Sequence, residues 1–435
     1  MRDVVLKQSK DLLPEMIRVR RNLHKHAETG WLEFGTAAMV IKRLEELGYT
    51  ITMGDMAVKK DAMLGVPSPE VLKMAQERAI ANGADPAVVR KMDGGLTGLW
   101  GDLECGGGDG PRFALRFDMD ANDVVESRDP KHRPTKEGFA SEYEGAMHAC
   151  GHDAHTAMGL AVAEILAGMK DTLKGSIRVI FQPGEEGGRG AAPMVAAGCL
   201  DGVDYALGSH IGVQADNPGM ILCGARKFLA TCKWDVFFKG VSAHSGVKPQ
   251  EGKNAVLAAC AATLNLHAIA RHGDGATRIT VGKIGGGQGR NVIPPNATLV
   301  METRGSSTEL NEYMAKEARR IIEAAAQMWD CEVEIKVMGA APSGESSQDM
   351  VDRAMAIAKT LPEFSDVQGI VDYAGTEDFT CMMARMQKQG GKATYIQVGT
   401  TLAAGHHNEF FDIDEKDMVN LVRMVCLIAC DYLGK

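Results

Sequence analysis

The densest group of reactive side chains is Met147-His148-Ala149-Cys150-Gly151-His152-Asp153-Ala154-His155-Thr156, with three histidines, one thiol and one carboxylate in ten residues. Cys150 and His152 are two apart, and on an irregular loop at a strand-to-helix junction both side chains can face one cation. Thiolate, imidazole and carboxylate are the ligand types that hold zinc and its neighbours. A lone Cys among histidines is ordinarily a buried residue beside surface ones. The metal reading is preferred because ligand-type residues recur downstream at equivalent positions.

The second element is Gln182-Pro183-Gly184-Glu185-Glu186-Gly187. Adjacent glutamates on an exposed helix are ordinary solvation, but these follow a strand and sit in a turn. There neighbouring side chains can diverge, one binding metal and the other facing water as a general base. Hydrolysis of an amide needs that pairing: a Lewis acid lowers the water's pKa and a base takes its proton. His210 follows a short strand, and His407 lies in Gly405-His406-His407-Asn408-Glu409. Cys150, His152, Glu186, His210 and His407 make five candidate ligands, too many for one tetrahedral ion with an open position. The count points to two metals sharing a water.

Strands must deliver these groups. Residues 112–117 (RFALRF) lead into Asp118-Met119-Asp120, 176–181 (SIRVIF) into the Glu185-Glu186 turn, 205–208 into Ser209-His210, and 393–398 (ATYIQV) onward to His407. Apolar strands alternating with helices, such as 157–169, predict an α/β fold with a largely parallel sheet. Ligands of such sheets bind beyond the carboxyl ends of the strands, where these residues fall. Helical spacing over 33–47 closes at Gly48, as a left-handed cap would. Residues 51–95 read as an insertion holding a helix at 68–81, with strand signals resuming at Leu96. Between 228 and 338 the order is strand, helix, two strands, helix, strand, the split βαβ pattern of a ferredoxin-like domain. The expected organisation is a catalytic domain over 1–227 and 339–435, interrupted by a lid or dimerisation domain at 228–338.

Composition excludes several classes. The 435 residues are 45% hydrophobic and 24% charged with a net charge of −9, so no basic surface suggests nucleic acid. Ten cysteines without a CxxC pair fit a reducing cytoplasm better than a disulfide framework. The amino-terminal residues lack an apolar signal core, and the most apolar run, 255–270, is broken by Asn265 and His267. A soluble cytoplasmic protein is therefore expected, without membrane or nucleic-acid partners. Asn296-Ala297-Thr298 would matter as a glycosylation acceptor only after export. The glycine run Gly285-Gly286-Gly287-Gln288-Gly289 is followed by no helix signal, which argues against a nucleotide site.

Taken together, these motifs resemble the M20 metallopeptidase family and, within it, the aminoacylase-like amidohydrolase branch. The resemblance spans nearly the whole chain. It also runs through Ser242-Ala243-His244-Ser245-Gly246, Asn291-Val292-Ile293-Pro294, Glu302-Thr303-Arg304-Gly305 and Thr376-Glu377-Asp378-Phe379. It implies a catalytic α/β domain interrupted by a ferredoxin-like lid. It implies two divalent ions on Cys150, His152, Glu186, His210 and His407, with Glu185 activating water and then protonating the leaving amine. His244 is implied to reach a partner's active site and stabilise the oxyanion, while Asn291 and Arg304 bind substrate carboxylate or carbonyl groups. An arginine fork suits a carboxylate.

Arg20-Arg21-Asn22-Leu23-His24-Lys25-His26-Ala27-Glu28-Thr29-Gly30-Trp31 and the 51–95 insertion are most like the members that cleave p-aminobenzoyl-glutamate, a folate catabolite. Those members imply manganese and a homologous partner subunit, whereas a thiolate ligand favours zinc. The substrate is expected to be an N-acyl amino acid, p-aminobenzoyl-glutamate first, with aminoacylase or small-peptide hydrolysis as the alternative. A homodimer and a heterodimer with a homologous subunit both remain open, as does a subunit that needs its partner for turnover. Two departures from the branch, His406 beside His407 and Asp123 where relatives carry Leu-Pro, bear on the pocket and not on the ligands.

Overall fold

A computed structural model describes residues 1–434. The chain divides into two compact units, one of Met1–Arg226, Glu345–Tyr373 and Asp378–Lys435, the other of Lys227–Gly344 and Ala374–Glu377. Twelve strands run in chain order: β1 (Thr50–Met53), β2 (Leu99–Glu104), β3 (Arg112–Asp118), β4 (Ser176–Gln182), β5 (Tyr205–Ile211) and β6 (Met220–Arg226), then β7 (Ala230–Lys239), β8 (Thr277–Gly286), β9 (Asn296–Gly305), β10 (Glu332–Ala341), β11 (Asp366–Asp372) and β12 (Lys392–Val398).

The first unit holds an eight-stranded sheet of order β1-β2-β4-β3-β5-β12-β6-β11. Four of its seven pairings are parallel, so the α/β class with a largely parallel sheet holds. The central strands are buried along nearly their whole length, as continuous apolar runs in a two-sided sheet require. Register brings their carboxyl ends level: Asp118 lies opposite Gln182, and His210 opposite Gln397. Three strands lie outside the sequence expectation. β1 is four residues long, β6 carries Gly224, and the half-buried edge strand β11 carries Gly369, so none presents a clean apolar run. Because β1 pairs antiparallel with β2, the expected 51–95 insertion in fact begins inside a strand and joins two edge-strand neighbours. Its helix is Pro69–Ala81, capped by Ser68, and a shorter one follows at Pro86–Lys91.

The second unit is a four-stranded antiparallel sheet of order β10-β7-β9-β8, backed by helices Ala255–His267 and Thr308–Met328. Trp234, Val236 and Phe238 of β7 pack with Leu299, Leu266, Met314 and Ile322 in a core of its own.

One helix positions the chemistry of the first unit. His152–Met169 begins five residues earlier than its periodicity suggests, because Gly151 (φ 88°) turns the chain into it. The helix is buried along most of its length and packs against β3 and helices Leu13–Lys25 and Met418–Leu433. Its first turn is tethered by charge. Arg20, fully buried, donates from Nε to Asp153 (3.0 Å), from Nη2 to Asp412 (2.6 Å) and from Nη1 to Glu415 (3.1 Å). Arg133 adds a fork onto Asp412 and a bond to Glu415. Burial would raise the Asp153 carboxyl, but the Arg20 charge and a hydrogen bond from His24 hold it far below the ordinary range.

His24 is buried between two carboxylates, with Nδ1 2.8 Å from Asp153 and Nε2 3.0 Å from Glu126. Carboxylates only accept, so both ring nitrogens carry protons. Burial alone would lower the imidazolium's pKa; the bonds to Asp153 and Glu126 outweigh it and raise it to about 9. A pKa raised on folding gives stability that is complete below about 6.5 and lost as pH rises through about 9. The metal-free protein's urea midpoint should therefore fall between pH 6.5 and 9, by on the order of 3 kcal/mol in unfolding free energy. His24→Gln should lie lower throughout and lack that slope. Equal pH dependence in the two proteins would exclude a charged His24.

Candidate metal centre and active site

The ends of β4 and β5, the loop before helix His152–Met169 and the loop after β12 converge on one centre. Cys150 Sγ lies 3.5 Å from His210 Nε2. His152 Nε2 lies 3.8 Å from Glu186 Oε1, whose other oxygen is 3.2 Å from His407 Nε2. Among the groups whose ligand atoms lie within 4.8 Å of one another are Cys150, His152 and His210; Cys150, Glu186 and His407; and His152, Glu185 and Glu186. The shared members join them, so the structure brings all five candidate ligands and Glu185 together.

The chemistry of this donor set fits cations. His152 donates a hydrogen bond from Nδ1 to the Asp120 carbonyl at 2.8 Å, which leaves a buried Nε2 with no hydrogen-bond partner. His210 likewise donates from Nδ1 to the Ile211 carbonyl at 2.8 Å, turning Nε2 toward Cys150. Backbone carbonyls that fix the tautomer in this way are the usual supports of metal-ligating histidines. Burial, with the Glu186 charge behind it, pushes the Cys150 thiol well above its ordinary range, so a thiolate here needs a cation. Burial also works against the Glu186 carboxylate, but the hydrogen bond from His407 and the charge of His152 hold it at about 2. Of the five candidate ligands, Cys150, His152 and His210 are buried and Glu186 is nearly so. His407 differs: its side chain is 57% exposed and its φ is 62°.

The turn that carries Glu185 and Glu186 is held by three buried carboxylates. Glu33 accepts from the Gly184 amide (2.9 Å), Asp120 from Glu185 (2.9 Å) and Glu186 (3.0 Å), and Asp378 from Gly190 (3.0 Å) and Ala191 (2.9 Å). Burial, and then the Asp120 charge, raise the Glu33 carboxyl to about 8. Asn122 braces the cysteine loop, exchanging backbone bonds with Met147 and accepting the Ala149 amide at 3.0 Å. Glu33, Asn122 and Arg20 have no role in the sequence reading. Their work is done across gaps of dozens to hundreds of residues, and Glu33 looks there only like the start of a helix.

Not every histidine of the 147–156 stretch faces the centre. His155 donates to Asp118 (2.5 Å) and accepts the Ile211 amide (3.0 Å), so both its nitrogens brace the ends of β3 and β5. His148 is buried with neither ring nitrogen bonded, and burial lowers it to about 3. His406 packs on Phe411 and edge-on to His210, and burial lowers it to about 4.

The remaining candidates lie in the second unit. His244 is exposed, and its Nδ1 accepts the Gly246 amide at 3.1 Å, which leaves the proton on Nε2. Its loop runs beside that of Asn291, through a bridge to Val292 and a bond from the Ser245 amide to the Asn291 carbonyl (3.1 Å). Arg304, on β9, engages Glu302 through Nε (2.8 Å) and Nη2 (3.0 Å).

Residues 114–431 match Peptidase family M20/M25/M40. The chain is 46% identical to indole-3-acetyl-aspartic acid hydrolase of Enterobacter agglomerans, with 97% of each chain covered. It is 44% identical to one chain of the p-aminobenzoyl-glutamate hydrolase of Escherichia coli, over 97% of this chain and 96% of that one. Among solved structures, the aminobenzoyl-glutamate utilization protein from Klebsiella pneumoniae superposes with a TM-score of 0.85 at 39% identity, covering 98% of this chain and 97% of that one.

Metal titration followed by elemental analysis separates ligands from braces. Cys150→Ala should weaken binding by at least ~10-fold, whereas His155→Gln should keep the wild-type stoichiometry. The reverse pattern would exchange the two roles.

Proposed function

Because the chain belongs to peptidase family M20/M25/M40, whose members are metal-dependent hydrolases, we propose that it cleaves the amide joining an aromatic acyl group to an acidic amino acid. The observation that carries the mechanism is the divided turn: Glu186 clusters with His152 and His407, and its neighbour Glu185 stands beside the same cluster. Substrate class follows from what the two named relatives share. One is named for indole-3-acetyl-aspartate and the other for p-aminobenzoyl-glutamate, each an aromatic acyl amide of an acidic amino acid. Release of p-aminobenzoate and glutamate is the first reading. Aspartate conjugates are the second, favoured by the 46% identity.

Cys150, His152, Glu186, His210 and His407 would hold two divalent ions, manganese or zinc, which when bound supply Lewis acidity and make hydroxide accessible near neutral pH. Glu185 takes the proton of the attacking water as its oxygen adds to the amide carbon. It then delivers that proton to the departing nitrogen as the C–N bond breaks, leaving a carboxylic acid and a free amine. His244, with its proton on Nε2, is suited to donate to the oxyanion of the tetrahedral intermediate, supplied across a homodimer or a dimer with a homologous subunit. Asn291 and Arg304 would receive the substrate carboxylate or carbonyl. With Glu302 occupying two of its nitrogens, Arg304 would meet a carboxylate through Nη1. Ten scattered cysteines without a CxxC pair suit a cytoplasmic location. Among the described residues no helix is long and apolar enough to cross a membrane.

Hydrolysis of p-aminobenzoyl-glutamate, indole-3-acetyl-aspartate, N-acetyl amino acids and dipeptides by the purified, metal-loaded chain tests the substrate reading. One of the first two should lead by at least ~10-fold in kcat/KM, since a site built for a given polar group rejects analogues that leave its own groups unpaired. Preference for dipeptides would overturn it. Glu185→Gln should keep the wild-type metal content and lose turnover by ~100-fold or more, and normal turnover would remove Glu185 from the base role. His244→Ala should be inactive alone and regain part of its activity when mixed with Glu185→Gln, because the mixed dimer contains one intact pair. No regain would place His244 outside a shared site.

A further inference from the structure

Residues 57–66 of the insertion lie against the turn that carries Glu185 and Glu186. Ala57 and Val58 are fully buried, and the Lys59 amide donates to the Pro193 carbonyl at 3.1 Å, just beyond the turn. Two successive carbonyls of this segment are then captured from the catalytic side. Leu64 O accepts from Nε1 of the fully buried Trp31 at 2.8 Å, and Gly65 O accepts from Arg189 Nη1 at 2.9 Å.

Arg189 belongs to the turn itself. Its side chain folds back so closely that a Cβ on Gly187 would meet Nε at 2.3 Å, and one on Gly30 would meet Nη2 at 2.9 Å. The buried carboxylates hold the turn through the amides of residues 184–186 at one end and 190–191 at the other. Between them Gly187 and Gly188 offer no side chain to pack. Across that arc, the Arg189 guanidinium is the side chain that ties the turn to a neighbouring segment.

We propose that Arg189 is a positioning residue for Glu185, and that the insertion serves as the strap to which it fastens the turn. This rests on the reading of Glu185 as the base. Losing the tie would let the arc move by a fraction of an ångström to an ångström, enough to misplace a base while the neighbouring Glu186 side chain is still held by His407.

The test combines kinetics on p-aminobenzoyl-glutamate and indole-3-acetyl-aspartate with amide hydrogen exchange, which needs no substrate. Arg189→Ala should lower kcat ~10- to 100-fold, with KM within about twofold and metal content unchanged. Amides of residues 184–190 should exchange faster while those of the sheet do not. Arg189→Lys should recover most of the loss, since an ammonium can still donate to the Gly65 carbonyl. Gly65→Pro, which cannot hold the observed φ of 59°, should reproduce the loss from the strap side. The double variant Arg189→Ala/Gly65→Pro should be no worse than either single one.

A rise in KM with kcat retained would make Arg189 a substrate contact. Unchanged exchange over 184–190, or additive losses in the double variant, would also overturn the proposal. Where Arg189→Ala fails to fold, Arg189→Lys and Gly65→Pro carry the same comparison. Glu185→Gln, run alongside, separates the two claims: normal turnover there would sink the base reading, whereas exchange over 184–190 bears on the strap alone.

Discussion

A guanidinium with no access to water lies beneath the site, and the first unit depends on satisfying it. Removing Arg20 from solvent carries a desolvation cost of several kcal/mol, which the structure offsets by surrounding the fork with Asp153, Asp412 and Glu415. These carboxylates come from two distant stretches of sequence, one holding Asp153 and the other Asp412 and Glu415. Asp153 follows the candidate ligand His152 directly, and Asp412 ends the loop that carries His407. The requirement that one buried charge be neutralised thus fixes two ligand-bearing segments against each other. A hydrophobic replacement can pack as well, but it would not specify which loops meet.

A second set of buried carboxylates acts on the backbone instead of on charge. Glu33, Asp120 and Asp378 accept amides of the Glu185-Glu186 turn, so its donors are spent before any substrate arrives. With the backbone held, two adjacent side chains can take different tasks without exchanging places. That prior ordering is the condition under which a general base avoids reorganisation during reaction.

Legibility follows sequence distance and side-chain chemistry. The clustering of Cys150, His152, Glu186, His210 and His407 is readable because each sits near a strand end or at a glycine turn, where reactive types are conspicuous. The parallel sheet is readable from β3, β4, β5 and β12, whose mostly apolar stretches are buried along nearly their whole length. β1, β6 and β11 are not: edge position, short length and internal glycines remove the pattern on which such reading relies. The supporting residues are also silent. In sequence Arg20 is part of a basic run on an amphipathic helix, and Glu33 is a helix start. Burial changes the meaning of a charge, and burial is decided by partners far away in the chain. His155 shows the converse, a ligand-type residue in the densest motif whose two nitrogens are spent on Asp118 and the Ile211 amide.

The discontinuity of the first unit has a consequence for synthesis on the ribosome. β5 pairs with β12, and β6 with β11 and β12, so the middle of the sheet cannot close until the segment after the second unit has emerged. A nascent chain that reaches residue 344 already contains Cys150, His152, Glu186 and His210. It lacks Asp412 and Glu415, so Arg20 has one carboxylate in place of three. The second unit, with a core of its own, is complete apart from Ala374–Glu377 by then. Final docking of the segment after residue 344 therefore coincides with completion of the candidate ligand set. The order of events built into this topology keeps the full candidate metal cluster from assembling before the whole eight-stranded sheet does.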